Sequence, residues 1–174
     1  MNPPAPIVTS IDQLCPNCGL CCDSTLFADV ELRAGDAAAR LEKLGLVLHR
    51  KGRTKQAFCQ PCAGFDGRLC RLYADRPKRC AQFECGLLKQ VAAGGMSPPL
   101  ALRKITATKK LAQRVRELLA AAGQRDDRMA LTHRYTAVMA APVDLAEEGS
   151  AERQGELMLA VNQLMQVLQR DFLQ

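Results

Sequence analysis

Tryptophan is absent from the chain, histidine and tyrosine occur twice each, and phenylalanine occurs five times. So few rings argue against a base-stacking platform, so nucleic acid is not expected as a partner. They also leave the core to leucine, alanine, valine and methionine. Nowhere do eighteen apolar residues follow one another, so no membrane partner is expected. The start, Met1-Asn2-Pro3-Pro4-Ala5-Pro6-Ile7-Val8, has neither a positively charged segment nor an apolar run of signal-peptide length. Together these predict a cytoplasmic protein. Cysteine itself disappears after residue 85.

Before that point it is abundant. Cys15-Pro16-Asn17-Cys18-Gly19-Leu20-Cys21-Cys22 puts four thiols within eight residues, and Cys59, Cys62, Cys70, Cys80 and Cys85 bring the total to nine. Closing loops between thiols so near in sequence costs little entropy, so the Cys-x-x-Cys-x-x-Cys run suits a metal centre. In a reducing compartment such cysteines stay as thiols, and the odd total argues against a paired disulfide framework. At 174 residues and 48% apolar, the chain suits one compact body. The formal charge of +6 counts every thiol as neutral, so a metal-loaded protein would be less basic. Basic residues gather at Arg50–Lys55 and from Arg103 to Arg116, and read as solvated faces.

Taken in order, residues 1–14 are proline-rich at the start and expected to form an extended arm. Residues 15–95 form the cysteine-rich lobe. Within it Thr25–Leu32 carries a partial strand pattern, residues 35–45 favour a helix ended by Gly45, and Leu46–His49 and Gln56–Cys59 suit two short strands around a basic loop. Asp66-Gly67 marks a tight reversal that would bring Cys62 and Cys70 together. Asp75 is placed to cap a short helix containing Pro77 and leading to Cys80. Residues 96–174 are helical: one helix from Ser97 to Gly123, a second from Asp126 to Ala141, and a third from about Ser150. An acidic linker from Asp144 to Glu156 leads into the third, whose stripe is Leu157, Val161, Leu164, Leu168 and Phe172. The fold class is therefore α+β: a small metal-stabilised lobe with short strands and helices, followed by a layer of about three α-helices.

Nine thiols beside His49 and His133 alone imply sites built wholly from sulfur, which select zinc or an iron–sulfur cluster. The spacing of Cys15, Cys18 and Cys21 matches the run that holds a cubane cluster, with a remote fourth ligand. Cys59-Gln60-Pro61-Cys62 could be half of a zinc knuckle, so spacing leans to iron–sulfur without excluding zinc. Neighbouring side chains diverge, so Cys21 and Cys22 are not expected to serve one metal ion in the same way. Two four-thiolate sites, or one cluster plus a spare set of thiols, both satisfy the spacing. Arg71, Arg76, Lys78 and Arg79 stand beside Cys70 and Cys80, where they could balance the negative charge of such a centre.

Cys15-x-x-Cys18-Gly19-x-Cys21-Cys22, then Cys62, then Gly67-x-x-Cys70-x-x-Tyr73-x-x-Arg76-Pro77-x-x-Cys80-x-x-Phe83-x-Cys85, resembles the YkgJ-type cysteine-cluster family, described as zinc- or iron-chelating proteins. The resemblance spans roughly residues 15 to 87. It implies Cys15, Cys18, Cys21, Cys22, Cys62, Cys70, Cys80 and Cys85 as metal ligands, with a 4Fe-4S cluster or zinc as cofactor, and leaves Cys59 as a free thiol. Ala81 follows Cys80 where arginine is often found in the family. The pattern is also similar to the cysteine-rich part of flagellin lysine methylases, but the chain has no recognisable adenosylmethionine-binding signature and that activity is not carried over.

Two functions compete. One is a metal-binding protein that transfers electrons or assists a modification reaction with a protein partner. The other is a zinc-stabilised interaction module with no redox role. An enzyme using a cysteine nucleophile is the weakest reading, because the sequence positions no base. A monomer is favoured over a dimer, since short helix connections usually return to a neighbour.

Overall fold

The computed structural model describes residues 10–142 and 149–174. Most of the arm expected at the N-terminus, and the start of the acidic linker at Asp144, lie outside the described residues. The protein is α+β, with a three-stranded antiparallel sheet in the first half and long helices in the second.

The first described element is helical rather than extended. Helix α1 (Ser10–Cys18) brings buried Leu14 against the helical core and ends where Gly19 takes φ of +78°. A side chain at Gly19 would meet Phe65, its Cβ only 2.6 Å from Phe65 Cζ, so a glycine there both stops the helix and admits the ring. Strands β1 (Asp29–Glu31), β2 (Leu48–Lys51) and β3 (Lys55–Cys59) pair in the order β1-β3-β2. Their register places Val30, Leu48 and Phe58 on one face and Asp29, Glu31, His49, Lys51 and Cys59 on the other. The apolar face packs with Leu41 of helix α2 (Ala38–Lys43), Leu46 and Leu72 into a small core. The polar face is tied by Lys51 to Asp29 at 2.7 Å and by Lys55 to Glu31 at 2.9 Å.

Asp75 does not cap the helix after Pro77. It closes a 3-10 turn (Tyr73–Asp75) and pairs with Arg40 at 2.7 Å, while Asp36, from forty residues upstream, accepts from the backbone N–H of Lys78 at 2.9 Å to hold helix α3 (Lys78–Gln82). A further helix, α4 (Gly86–Ala92), starts directly after Cys85.

Helix α5 (Pro98–Ala121) is the long axis of the second half. It buries Ala101, Ile105, Thr108, Ala112, Val115, Leu118 and Leu119 at helical spacing, and packs against α1 and against helix α7 (Ser150–Asp171). Small residues at 101, 108 and 112 let neighbouring backbones approach closely. From α7 come buried Leu157, Leu164 and Leu168, followed by Phe172, which is 1% exposed. The second helix, α6 (Leu131–Ala140), begins five residues later than its sequence suggests, because Asp126 to Met129 form a turn. Much of the basic run on α5 is engaged: Lys104 pairs with Asp171 at 2.8 Å, Arg114 with Glu156, and Arg116 with Asp23 at 3.1 Å.

Candidate metal centre

The clustered cysteines are delivered by several local devices. The last turns of α1 carry Cys15 and Cys18 three residues apart, on one face. After Gly19 the chain turns back: the N–H groups of Cys22 and Asp23 both donate to Gly19 O, at 2.8 and 3.0 Å. That turn is braced from the helices. Arg116 of α5 donates to Asp23 Oδ2 at 3.1 Å and to Thr25 Oγ1 at 2.9 Å, and the N–H of Leu131 donates to Ser24 Oγ at 3.3 Å. Cys62 follows β3, and its N–H donates to Cys22 O at 2.9 Å. Beyond the reversal at Asp66, whose carboxylate accepts from the N–H groups of Arg68 and Leu69, Cys70 lies opposite Phe65. Cys80 rides on α3. Cys85 caps α4, its sulfur 3.5 Å from the N–H of Leu88 that donates to it.

These turns converge on one cavity of about 390 Å³ whose wall includes Cys15, Cys18, Cys21, Cys22, Cys62, Cys70, Cys80 and Cys85. Cys59 is not on that wall. It lies exposed on the polar face of the sheet, its sulfur 3.9 Å from His49 Nδ1. Within the cavity the thiols fall into two sets. The thiols whose charge acts on Cys18 are Cys85 and Cys15, and those acting on Cys21 are Cys18, Cys22, Cys85 and Cys15, whereas Cys22 feels Cys62, Cys70 and Cys80, and Cys80 feels Cys62 and Cys70, so that Cys21 and Cys22 link the two sets. Packing divides them the same way: Cys18 and Cys85 lie against the helical core, and Cys62, Cys70 and Cys80 against the sheet core. The boundary falls at the Cys21–Cys22 peptide, where the adjacent side chains diverge.

A family model, CxxCxxCC, described as a "putative zinc- or iron-chelating domain", matches residues 14–99. Residues 14–99 are a CxxCxxCC domain. No curated protein and no solved structure shows a significant match to the chain.

In the CxxCxxCC domain burial favours the protonated form of six thiols. Burial pushes Cys18, Cys22 and Cys80 up to about 12, helped by neighbouring cysteines, and pushes Cys21 well above the ordinary thiol value for the same two reasons. Cys62 and Cys85 are raised by burial as well, but backbone N–H groups of Gly64 and Phe65 for the one, and of Leu88 and Leu87 for the other, oppose the rise. Buried, crowded sulfurs of this kind become thiolates only when a cation replaces their protons. Four sulfur donors in each set, with no carboxylate or imidazole among them, fit zinc or an iron–sulfur cluster.

Of the four basic residues expected to balance the charge, Arg76 and Arg79 line the cavity, and Arg76 stacks 3.6 Å over the ring of Tyr73 and lowers Cys80. Arg71 instead reaches Ala63 O at 3.0 Å and Lys78 reaches Ala34 O at 2.8 Å. Three lining residues escaped the sequence. Arg68 enters through the Asp66 turn, Gln60 through the strand end, and Phe172 from the far end of the chain, outside the CxxCxxCC match.

Proposed function

We propose that the CxxCxxCC domain carries two four-thiolate iron–sulfur centres, one on Cys15, Cys18, Cys21 and Cys85 and one on Cys22, Cys62, Cys70 and Cys80, and that it transfers electrons to a protein partner or assists a modification reaction. The observation that carries this is the shared cavity of about 390 Å³ with eight thiols on its wall, Cys18 and Cys85 against the helical core and Cys62, Cys70 and Cys80 against the sheet core. Around a bare zinc ion, sulfurs at about 2.3 Å from the metal would stand about 3.8 Å apart and close on each other. Eight thiols around one cavity of about 390 Å³ suit a larger inorganic core. Such a core supplies one-electron chemistry when bound.

The chain's own residues divide the remaining work. Cys15 is exposed, so the first set reaches the surface where a redox partner would meet it. Leu14, Leu88, Ile105 and Phe172 keep water from the cavity, and Arg68, Arg76 and Arg79 offset negative charge on the other side. The test is purification without air, followed by absorption spectroscopy and analysis of iron, zinc and sulfide. About eight irons and eight sulfides per chain, with a brown colour, are expected for two cubane centres. About two zincs and no sulfide would overturn the redox reading in favour of a zinc-stabilised interaction module.

A further inference from the structure

One buried polar side chain on the cavity wall is not accounted for by anything the protein itself offers. Gln60 is 2% exposed, and its Oε1 has no hydrogen-bond partner. Its backbone is fixed at the sheet edge, the N–H donating to Ala28 O at 2.9 Å. It stands between Phe58, which belongs to the sheet core, and Cys62, which packs on that core. Gln60 therefore borders the set Cys22, Cys62, Cys70 and Cys80.

Leucine would fill the same space without desolvating an amide, so the polar group asks for a partner that arrives with the cavity's contents. Thiolate and sulfide sulfurs can only accept hydrogen bonds. A primary amide presents an acceptor on one edge and two N–H donors on the other, and a half-turn of its last torsion exchanges them.

We propose that Gln60 is a positioning residue for the centre on Cys22, Cys62, Cys70 and Cys80, donating from Nε2 to its sulfurs and setting it apart from the other centre; this rests on the two-centre reading above. N–H donation to sulfur favours the more negative, reduced state. Gln60 thus raises the potential of its own centre above the value the thiols alone would set.

The experiment uses the full metal-loaded chain and two variants, Gln60→Leu and Gln60→Glu, the second keeping the shape should the first fail to fold. Iron and sulfide are counted first, then both midpoint potentials are measured by spectroelectrochemical titration. The expected result is unchanged stoichiometry with one potential moved to more negative values in both variants and the other left in place. Two unmoved potentials, or two moved equally, overturn the proposal even if melting temperature changes. Zinc in place of iron would sink the iron–sulfur reading but not this one. The readout then is release of metal to a chelator, where half of the zinc should leave about tenfold faster from Gln60→Leu, and equal release from the variant and wild type would refute it.

Discussion

Replacing Cys21 and Cys22 singly by serine probes the division of the cavity most directly, because the two residues are adjacent and yet face different thiols. In the proposed division Cys21 serves with Cys15, Cys18 and Cys85, and Cys22 with Cys62, Cys70 and Cys80. Each variant should therefore lose one centre and keep the other, halving the metal. The structural cost should differ. The sheet core holds Val30, Leu41, Leu46, Phe58 and Leu72, five side chains contributing about 2 kcal/mol each, or about 10 kcal/mol together. Metal binding at a structural four-thiolate site contributes about 10 kcal/mol or more. Losing the centre at Cys22 thus removes roughly half of what holds the sheet side, and amide exchange over β1, β2, β3 and α2 should rise to that of an open chain. Cys21→Ser strikes the side where α1 and α4 lie on α5 and α7, whose core is about three times larger, so protection in α5 should survive. Metal analysis and hydrogen exchange read both effects. Identical stoichiometries with identical exchange patterns would refute the two-set reasoning.

Phe172→Ala should destabilise the protein by about 3–5 kcal/mol in chemical denaturation, and should also speed metal loss, because the ring lines the cavity. Gly86→Ala would put a Cβ 2.7 Å from Asp171 O and should cost about 1–3 kcal/mol, whereas Gly155→Ala in α7 meets nothing within 4 Å and should stabilise by about 0.5–1 kcal/mol, which thermal melts of the pair will separate. Arg170 and Lys104 hold the Asp171 carboxyl below its usual range. Its contribution is therefore present above the ordinary carboxylate range and is lost as pH falls through the lowered value, so Asp171→Asn should be less stable at neutral pH and show a flatter acid limb in melting temperature. In the metal-loaded protein a maleimide should label Cys59 without releasing metal, and Cys59→Ser should remove that label, since Cys59 is exposed and lies off the cavity wall.

Where neighbours in sequence are also neighbours in space, the chain was readable. The hairpin of β2 and β3, the reversal at Asp66-Gly67 and the long helices follow from local pattern and turn chemistry. The Leu157, Leu164 and Leu168 stripe is buried as its spacing suggests, with Val161 at its margin. Capping misled, because Asp75 had the right spacing while Asp36 had the right position, and only the folded chain brings Asp36 to Lys78. Helix α4 is too short to show a period, and its start depends on the sulfur of Cys85 as cap. Among the cysteines, all eight positions expected on the site share one cavity. Which sulfur stands with which depends on tertiary packing, and spacing alone does not carry that. Gln60 and Phe172 gave no local signal, since neither belongs to a motif and both act through where the backbone places them.

The N–H of Gly86, the residue after Cys85, donates to Phe172 O at 3.0 Å, so the far end of the helical half latches onto the last thiol-bearing turn. During synthesis Cys85 is made nearly ninety residues before its latch. A chain still leaving the ribosome can offer seven of the eight cavity thiols in order, but the wall near Cys85 closes only when residue 172 has emerged and α7 has docked. The helices outside the CxxCxxCC match thereby act as a timer. Until then the wall at Cys85 stays open to water.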